Sequence, residues 1–299
     1  MARRLVRAAG ILAAVVVLGL VGVAGYVAWT WDRVYDAPLS DIRISTDPAV
    51  LARGEYLAYG PGHCIECHGG SWDALQKLGE GVQVPLSGGL RLAMGPLGAV
   101  YSGNLTPDPE TGIGRYSDAQ LARMMRWAVR PDGRATVEPM MPFGNMSEDD
   151  LVAILSYLRA QPPVRNAVPA NEWTTMGKVV KSFVGVMKPR SAINPPPTAP
   201  PPGATRERGE YLARYVTNCV GCHTPRDPST FAATGPEFSG GFEMEPAPLP
   251  GVDQTIWFRT PNITPMAGSG LTWLMPHATA KPSTVPMTPP NVESVIDSV

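Results

Sequence analysis

The chain opens on a run from Ala8 to Ala28 that is uncharged and largely apolar, preceded by Arg3, Arg4 and Arg7. Roughly 20 apolar residues suffice to span a bilayer, and Tyr26, Trp29, Trp31 and Tyr35 stand where an aromatic belt would meet the far interface. The pattern predicts a single-pass inner-membrane anchor over residues 1–35, with the basic end in the cytoplasm and the rest of the chain on the periplasmic side. A cleaved signal peptide is the competing expectation. It fits less well, because the apolar run is long and no clean small-x-small cleavage site precedes the aromatics.

Beyond the anchor the apolar positions adopt helical spacing. Pro48 to about Ala58 predicts an opening helix. Ser117 followed by Gln120 has the form of a capping box, in which each side chain satisfies the other's free amide, and Pro131 is expected to end that helix. A third helix is expected from Ser147, with Asp150 in the corresponding place and Leu151, Ile154, Leu155 and Leu158 on one face, stopped by Pro162 and Pro163. The 33 prolines and 31 glycines among 299 residues add long irregular connections. Residues 164–204 end in two proline triplets, Pro195–Pro197 and Pro200–Pro202, a composition suited to a semi-rigid spacer. The net charge of −1 supplies no basic field for nucleic acid, which therefore drops out as a partner.

An internal repeat organises the rest. Arg53-Gly54-Glu55-Tyr56-Leu57-Ala58 recurs as Arg208-Gly209-Glu210-Tyr211-Leu212-Ala213, and Cys64-Ile65-Glu66-Cys67-His68 recurs as Cys219-Val220-Gly221-Cys222-His223, both at an offset of 155. Ser87-Gly88-Gly89 is echoed at Ser239-Gly240-Gly241, and Asn104-Leu105-Thr106-Pro107 at Asn262-Ile263-Thr264-Pro265. The expected organisation is an anchor at 1–35, a first module at 47–163, a Pro-rich linker at 164–204 and a second module at 205–299. Gly54 and Gly209 are expected to let the first and last helices of their modules approach closely.

A Cys-x-x-Cys-His sets two thiols about one helical turn apart with an imidazole beside the second. Both thiols can then join haem vinyl groups while the histidine takes the iron, which is the c-type attachment pattern. Cys64, Cys67 and His68, with Cys219, Cys222 and His223, use every cysteine in the chain and predict two covalently bound haem c groups. Two disulfides, a redox-active dithiol or one shared zinc would also employ paired cysteines. None of them explains a histidine after the second cysteine in both copies.

The repeated Arg-Gly-Glu-Tyr-Leu, the two Cys-x-x-Cys-His sites, the stretch Asn104 to Gly114 and Met141-Pro142-Phe143 resemble the di- and trihaem cytochrome c subunits of bacterial membrane-bound dehydrogenases. The resemblance covers roughly 48–165 well and 205–273 in part. It implies a mainly α fold, with a small helical haem domain in each module and His and Met as axial ligands. It also implies a relay of single electrons between a periplasmic or membrane donor and an acceptor, the partners being a dehydrogenase or a membrane respiratory or photosynthetic complex. No catalytic residue is expected. The alternative is a haem enzyme of the peroxidase or sulfur-compound dehydrogenase type, with an open second haem.

Within that family pattern Met141 is the expected distal ligand of the first haem. Met140 is the nearest competitor, Met146 is close, and Met124 and Met125 on the middle helix are better read as core fillers. His63 is expected to be a surface or packing residue. Tyr101, Asn104, Arg115 and Trp127 are candidates for propionate or macrocycle contacts, with ordinary packing an equally good account of them. The second module departs from the pattern. Met141 lies 37 residues after Asn104, and the same step from Asn262 reaches Val299, which is no methionine. Prolines from Pro276 onward forbid a matching middle helix. The second haem is therefore expected to be open, weakly ligated or completed by a partner, with Met266, Met275, His277 and Met287 as substitutes.

Overall fold

The computed structural model describes residues 2–227, 230–245, 253 and 255–265. The chain is largely helical. Helix α1, Ala2–Thr30, is apolar over its length and stands out from the rest, with Leu12, Val16 and Leu20 more than half exposed. A helix of that composition meets the length requirement of a membrane anchor, and an N-terminal signal sequence meets it too.

The first module is built on α2 (Pro48–Tyr59), α3 (Cys64–His68), α4 (Ala74–Gly79), α5 (Asp118–Trp127) and α6 (Glu148–Ala160). Asp47 caps α2 through the Ala49 amide at 2.8 Å. The capping box at Ser117 and Gln120 forms as expected. At α6 the Ser147 hydroxyl accepts from the Asp150 amide, but the Asp150 carboxylate turns to Arg53 instead of closing a box. Helix α5 stops before Pro131. Ala128 takes a left-handed conformation (φ 57°), and its amide closes on the Met124 carbonyl, so the terminus is set by the chain reversal at Ala128 and not by the proline.

Leu57, Ile65, Leu86, Leu151, Ile154 and Leu155 make the buried centre of this module. Helices α2 and α6 cross there at Gly54, where an added Cβ would lie 2.0 Å from the Ala153 carbonyl oxygen. The close approach expected of Gly54 is thus present. Gly209 differs, because nothing among the described residues lies within 4 Å of its Cβ position.

A small antiparallel sheet in the order β1-β2-β3 flanks this core. It comprises β1 (Arg91–Ala93), β2 (Gly98–Tyr101) and β3 (Glu172–Trp173). The stretch 164–204 therefore does more than space the modules: it supplies β3 and then α7 (Thr175–Phe183). Its proline-rich end lies along the start of α6, where the Glu148 amide donates to the Pro196 carbonyl and the Ala199 amide to Asp149.

The second module begins with α8 (Arg206–Tyr211), which continues as a π turn over Leu212–Val216, and then α9 (Cys219–Cys222). Strands β4 (Glu243–Met244) and β5 (Phe258–Arg259) pair antiparallel. Tyr211 joins the modules. Its hydroxyl donates to Asp150 Oδ2 at 2.8 Å, accepts from the Ser147 amide at 3.0 Å and lies 2.7 Å from Ser147 Oγ, while Arg53 grips the same Asp150 through two bonds of 2.9 and 3.0 Å. The repeated Arg-Gly-Glu-Tyr thus delivers its arginine from one copy and its tyrosine from the other to one buried carboxylate. Tyr211→Phe is expected to strand the Ser147 amide and cost about 1–3 kcal/mol, the usual penalty for orphaning a buried partner. Urea unfolding of the purified protein measures it, and an unchanged midpoint would remove the tyrosine from any role in docking.

Candidate functional site

Both Cys-x-x-Cys-His segments form short helices entered through a left-handed residue, His63 (φ 55°) in the first copy and Asn218 (φ 53°) in the second. The surrounding hydrogen bonds repeat as well. His68 Nδ1 lies 2.7 Å from the Gly103 carbonyl oxygen, and His223 Nδ1 lies 2.8 Å from that of Pro261. The His68 carbonyl accepts from the Gly88 amide and the His223 carbonyl from the Gly240 amide, each at 2.7 Å. Asn104 Oδ1 accepts from the Thr106 amide and hydroxyl, as Asn262 Oδ1 does from those of Thr264. The Gly-Gly and Asn-hydrophobic-Thr-Pro echoes therefore serve one purpose, which is to build the shelf that holds the histidine.

A carbonyl oxygen can only accept, so Nδ1 of each histidine carries the proton and Nε2 is left with its lone pair for a metal. Burial holds the His68 imidazole below its usual range despite the opposing Gly103 bond, which favours the neutral form that ligates. The thiols are shifted the other way: burial pushes Cys64 up to about 12 and also raises Cys67 and Cys222. A redox dithiol or a zinc-thiolate site needs thiolates held down by positive neighbours. The four cysteines are unpaired, and among the described residues no three His, Cys, Asp or Glu side chains converge to hold a metal ion.

The two segments open onto one cavity of about 460 Å³. Cys64, Cys67 and His68 line it together with Cys219, Cys222 and His223. Much of the remaining wall is apolar and comes from the first module, including Leu105, Ile113, Phe143, Ile154, Leu155 and Leu158. The residues fit a large, flat, apolar group with polar attachment at its edges, as the sequence leads one to expect of haem c.

Met124, Met125, Met140 and Met141 also line the cavity. Met146 does not; it is fully buried in the core and is no longer a competitor for the iron. Met140 sits on a 3-10 turn, Glu138–Met140, and is 42% exposed, whereas Met141 is half-buried against the core. The Met141 loop is held by a residue that sequence inspection passed over. Arg190 donates to the Met125, Arg126, Glu138 and Met141 carbonyls and pairs with Glu138 at 2.8 Å. Arg126 donates to the Gly144 and Met146 carbonyls from the other side.

None of Tyr101, Asn104, Arg115 and Trp127 is among the residues lining the cavity. Tyr101 bonds Glu172, Asn104 braces its own turn and Val164, and Arg115 stacks on Tyr116. His63 is exposed and pairs with Glu66 at 2.9 Å at the cavity rim. Met266, Met275, His277 and Met287 lie outside the described residues.

No family model matches the chain. It is 37% identical over 193 residues to the cytochrome c subunit of a quinone-dependent alcohol dehydrogenase of Gluconobacter oxydans, covering 60% of this chain and 36% of that protein. It is 34% identical over 185 residues to the gluconate 2-dehydrogenase cytochrome c subunit of Pantoea cypripedii, covering 60% of this chain and 38% of the other. To a diheme cytochrome c-type protein of Cereibacter sphaeroides it is 31% identical over 220 residues, covering 66% of this chain and 69% of that one. The chain thus spans well under half the length of the two dehydrogenase subunits.

Proposed function

The chain belongs to the dihaem c-type cytochromes, and on that premise we propose that it relays single electrons between a periplasmic or membrane donor and an acceptor. The partners would be a dehydrogenase or a membrane respiratory or photosynthetic complex, with α1 as an inner-membrane anchor. The observation that carries this proposal is the pair of attachment segments opening onto one apolar cavity, each with its imidazole pinned through Nδ1.

A bound haem supplies a reversible one-electron couple. Everything else falls to the residues. Cys64 and Cys67, and Cys219 and Cys222, would anchor the two groups. His68 and His223 would ligate through Nε2, their basicity raised by the Gly103 and Pro261 carbonyls. Leu105, Ile113 and Phe143 exclude water from the first site, which favours the less charged state of an iron centre. Met141 would supply a thioether to the iron, its loop held by Arg190.

A redox titration with optical detection tests this. The purified protein should show two one-electron couples. Met141→Ala should abolish the weak sulfur-to-iron band of one haem and lower its potential, because a thioether opposite imidazole raises it. Met140→Ala should do neither. A protein with no reversible couple in the physiological range would defeat the relay proposal, and the opposite pattern of variants would move the ligand to Met140.

A further inference from the structure

Helix α7 carries an exposed stripe with no charge in it. Met176, Val179 and Phe183 fall at i, i+3 and i+7, and are 56%, 38% and 53% exposed. The charged residues turn elsewhere: Lys178 and Lys181 place Nζ 4.5 and 5.5 Å from the ring of Trp31, and Lys181 also lies 4.9 Å from the ring of Trp173. The inner face is tight. A Cβ on Gly177 would stand 2.1 Å from the Leu97 carbonyl oxygen, and Val180 packs against the cluster of Val100, Val137 and Met187. The stripe is therefore fixed outward by packing.

What it meets follows from α1. The junction after α1 is stapled to the first module: the Tyr35 amide donates to the Gly133 carbonyl at 2.8 Å, Asp32 pairs with Arg134 at 2.7 Å, and Val34 bridges to Arg134. Helix α1 thus leaves the module in a fixed direction. Phe183 stacks on Tyr26 with ring centroids 5.2 Å apart. Tyr26 lies four residues before Thr30, the end of α1, so this contact sits roughly 6 Å back along the helix at 1.5 Å per residue. Counting about 20 residues of hydrocarbon span from Ala8 reaches the same level.

We propose that α7 lies in the outer-leaflet interface of the membrane, with Met176, Val179 and Phe183 between lipid headgroups and the upper acyl chains. This rests on α1 being a membrane anchor and goes beyond it. A lone span permits any tilt of the domain it carries, whereas a span plus a second interfacial helix sets the height and tilt of the cavity above the bilayer. Apolar faces of this kind enter about 5–10 Å into the headgroup and acyl boundary, and Trp29, 79% exposed in the last turn of α1, suits that depth.

The test uses the full haem-loaded chain in nanodiscs of phosphatidylethanolamine and phosphatidylglycerol doped with a lipid bearing a photoactivatable diazirine on its acyl chain. After illumination, peptide mass spectrometry should find label on α1 and on Thr175–Phe183. The double variant Met176→Glu, Phe183→Glu should lose the α7 label, keep that of α1 and retain its haem spectrum. Label on α1 alone in the unmodified protein overturns the proposal and leaves the anchor standing, as does α7 label undiminished in the variant. Absence of label from α1 shows instead that the anchor itself has failed, and the proposal falls with it.

Discussion

Changing Cys64 and Cys67 together to alanine is expected to halve the covalent haem per chain and to unfold the first module, while the same change at Cys219 and Cys222 halves the haem and leaves that module folded. The asymmetry follows from which residues wall the shared cavity. Leu105, Ile113, Phe143, Ile154, Leu155 and Leu158 all belong to the first module, whereas among the described residues the second contributes the stretch from Val216 to His223. Loss of the first group would leave those side chains facing water, at a cost of roughly 25 cal/mol per Å² of apolar surface exposed. Among the described residues the second module, held at Tyr211, has less apolar wall to lose. Haem staining after denaturing electrophoresis and circular dichroism of each variant check both halves of the expectation. Equal loss of helix in the two variants would show that the modules fold as one unit.

Gly54→Ala is expected to be among the most damaging single changes in the chain. Its new methyl group would meet the Ala153 carbonyl oxygen at 2.0 Å, the Ala153 carbonyl carbon at 2.6 Å and Tyr157 Cβ at 2.7 Å. Two of the three are backbone atoms, which cannot rotate away, so α2 and α6 must separate. Overpacking of this kind costs about 1–3 kcal/mol and more where backbone moves. Because α2 leads directly into the first attachment helix, haem incorporation at Cys64 and Cys67 should fall with stability. Gly209→Ala, its counterpart in the repeat, meets nothing among the described residues and gains up to about 1 kcal/mol of helix propensity. Thermal unfolding of the two variants beside the parent compares them. A Gly54→Ala protein as stable as the parent would mean that the two helices do not cross as described.

The two glycines also show where sequence inspection reaches and where it stops. They are identical in local context, so nothing within either Arg-Gly-Glu-Tyr-Leu-Ala separates them; the difference lies in the helix that crosses one of them. Features written in neighbouring residues were legible: the repeat, which the structure matches hydrogen bond for hydrogen bond around His68 and His223, and the caps at Ser117 and Ser147. The end of α5 was not, because proline forbids a helix beyond itself but does not say how far before it the chain has turned, and Ala128 turns it early. The β1-β2-β3 sheet escaped notice because its strands have three, four and two residues, too few for an alternating pattern. Helix α7 was hidden in a stretch whose prolines dominate its composition. Arg190 was illegible for another reason. It acts across 49 residues of sequence on Met141, and no local pattern marks a guanidinium that will bury itself under a distant loop.

Each Cys-x-x-Cys-His segment is expected to carry its own covalent haem. Pyridine haemochrome absorbance of the purified chain, set against protein concentration from amino-acid analysis, tests it directly. Two haems per polypeptide, both resisting extraction by acidified acetone, is the expected result. One haem per polypeptide, or haem that passes into the solvent, would contradict it.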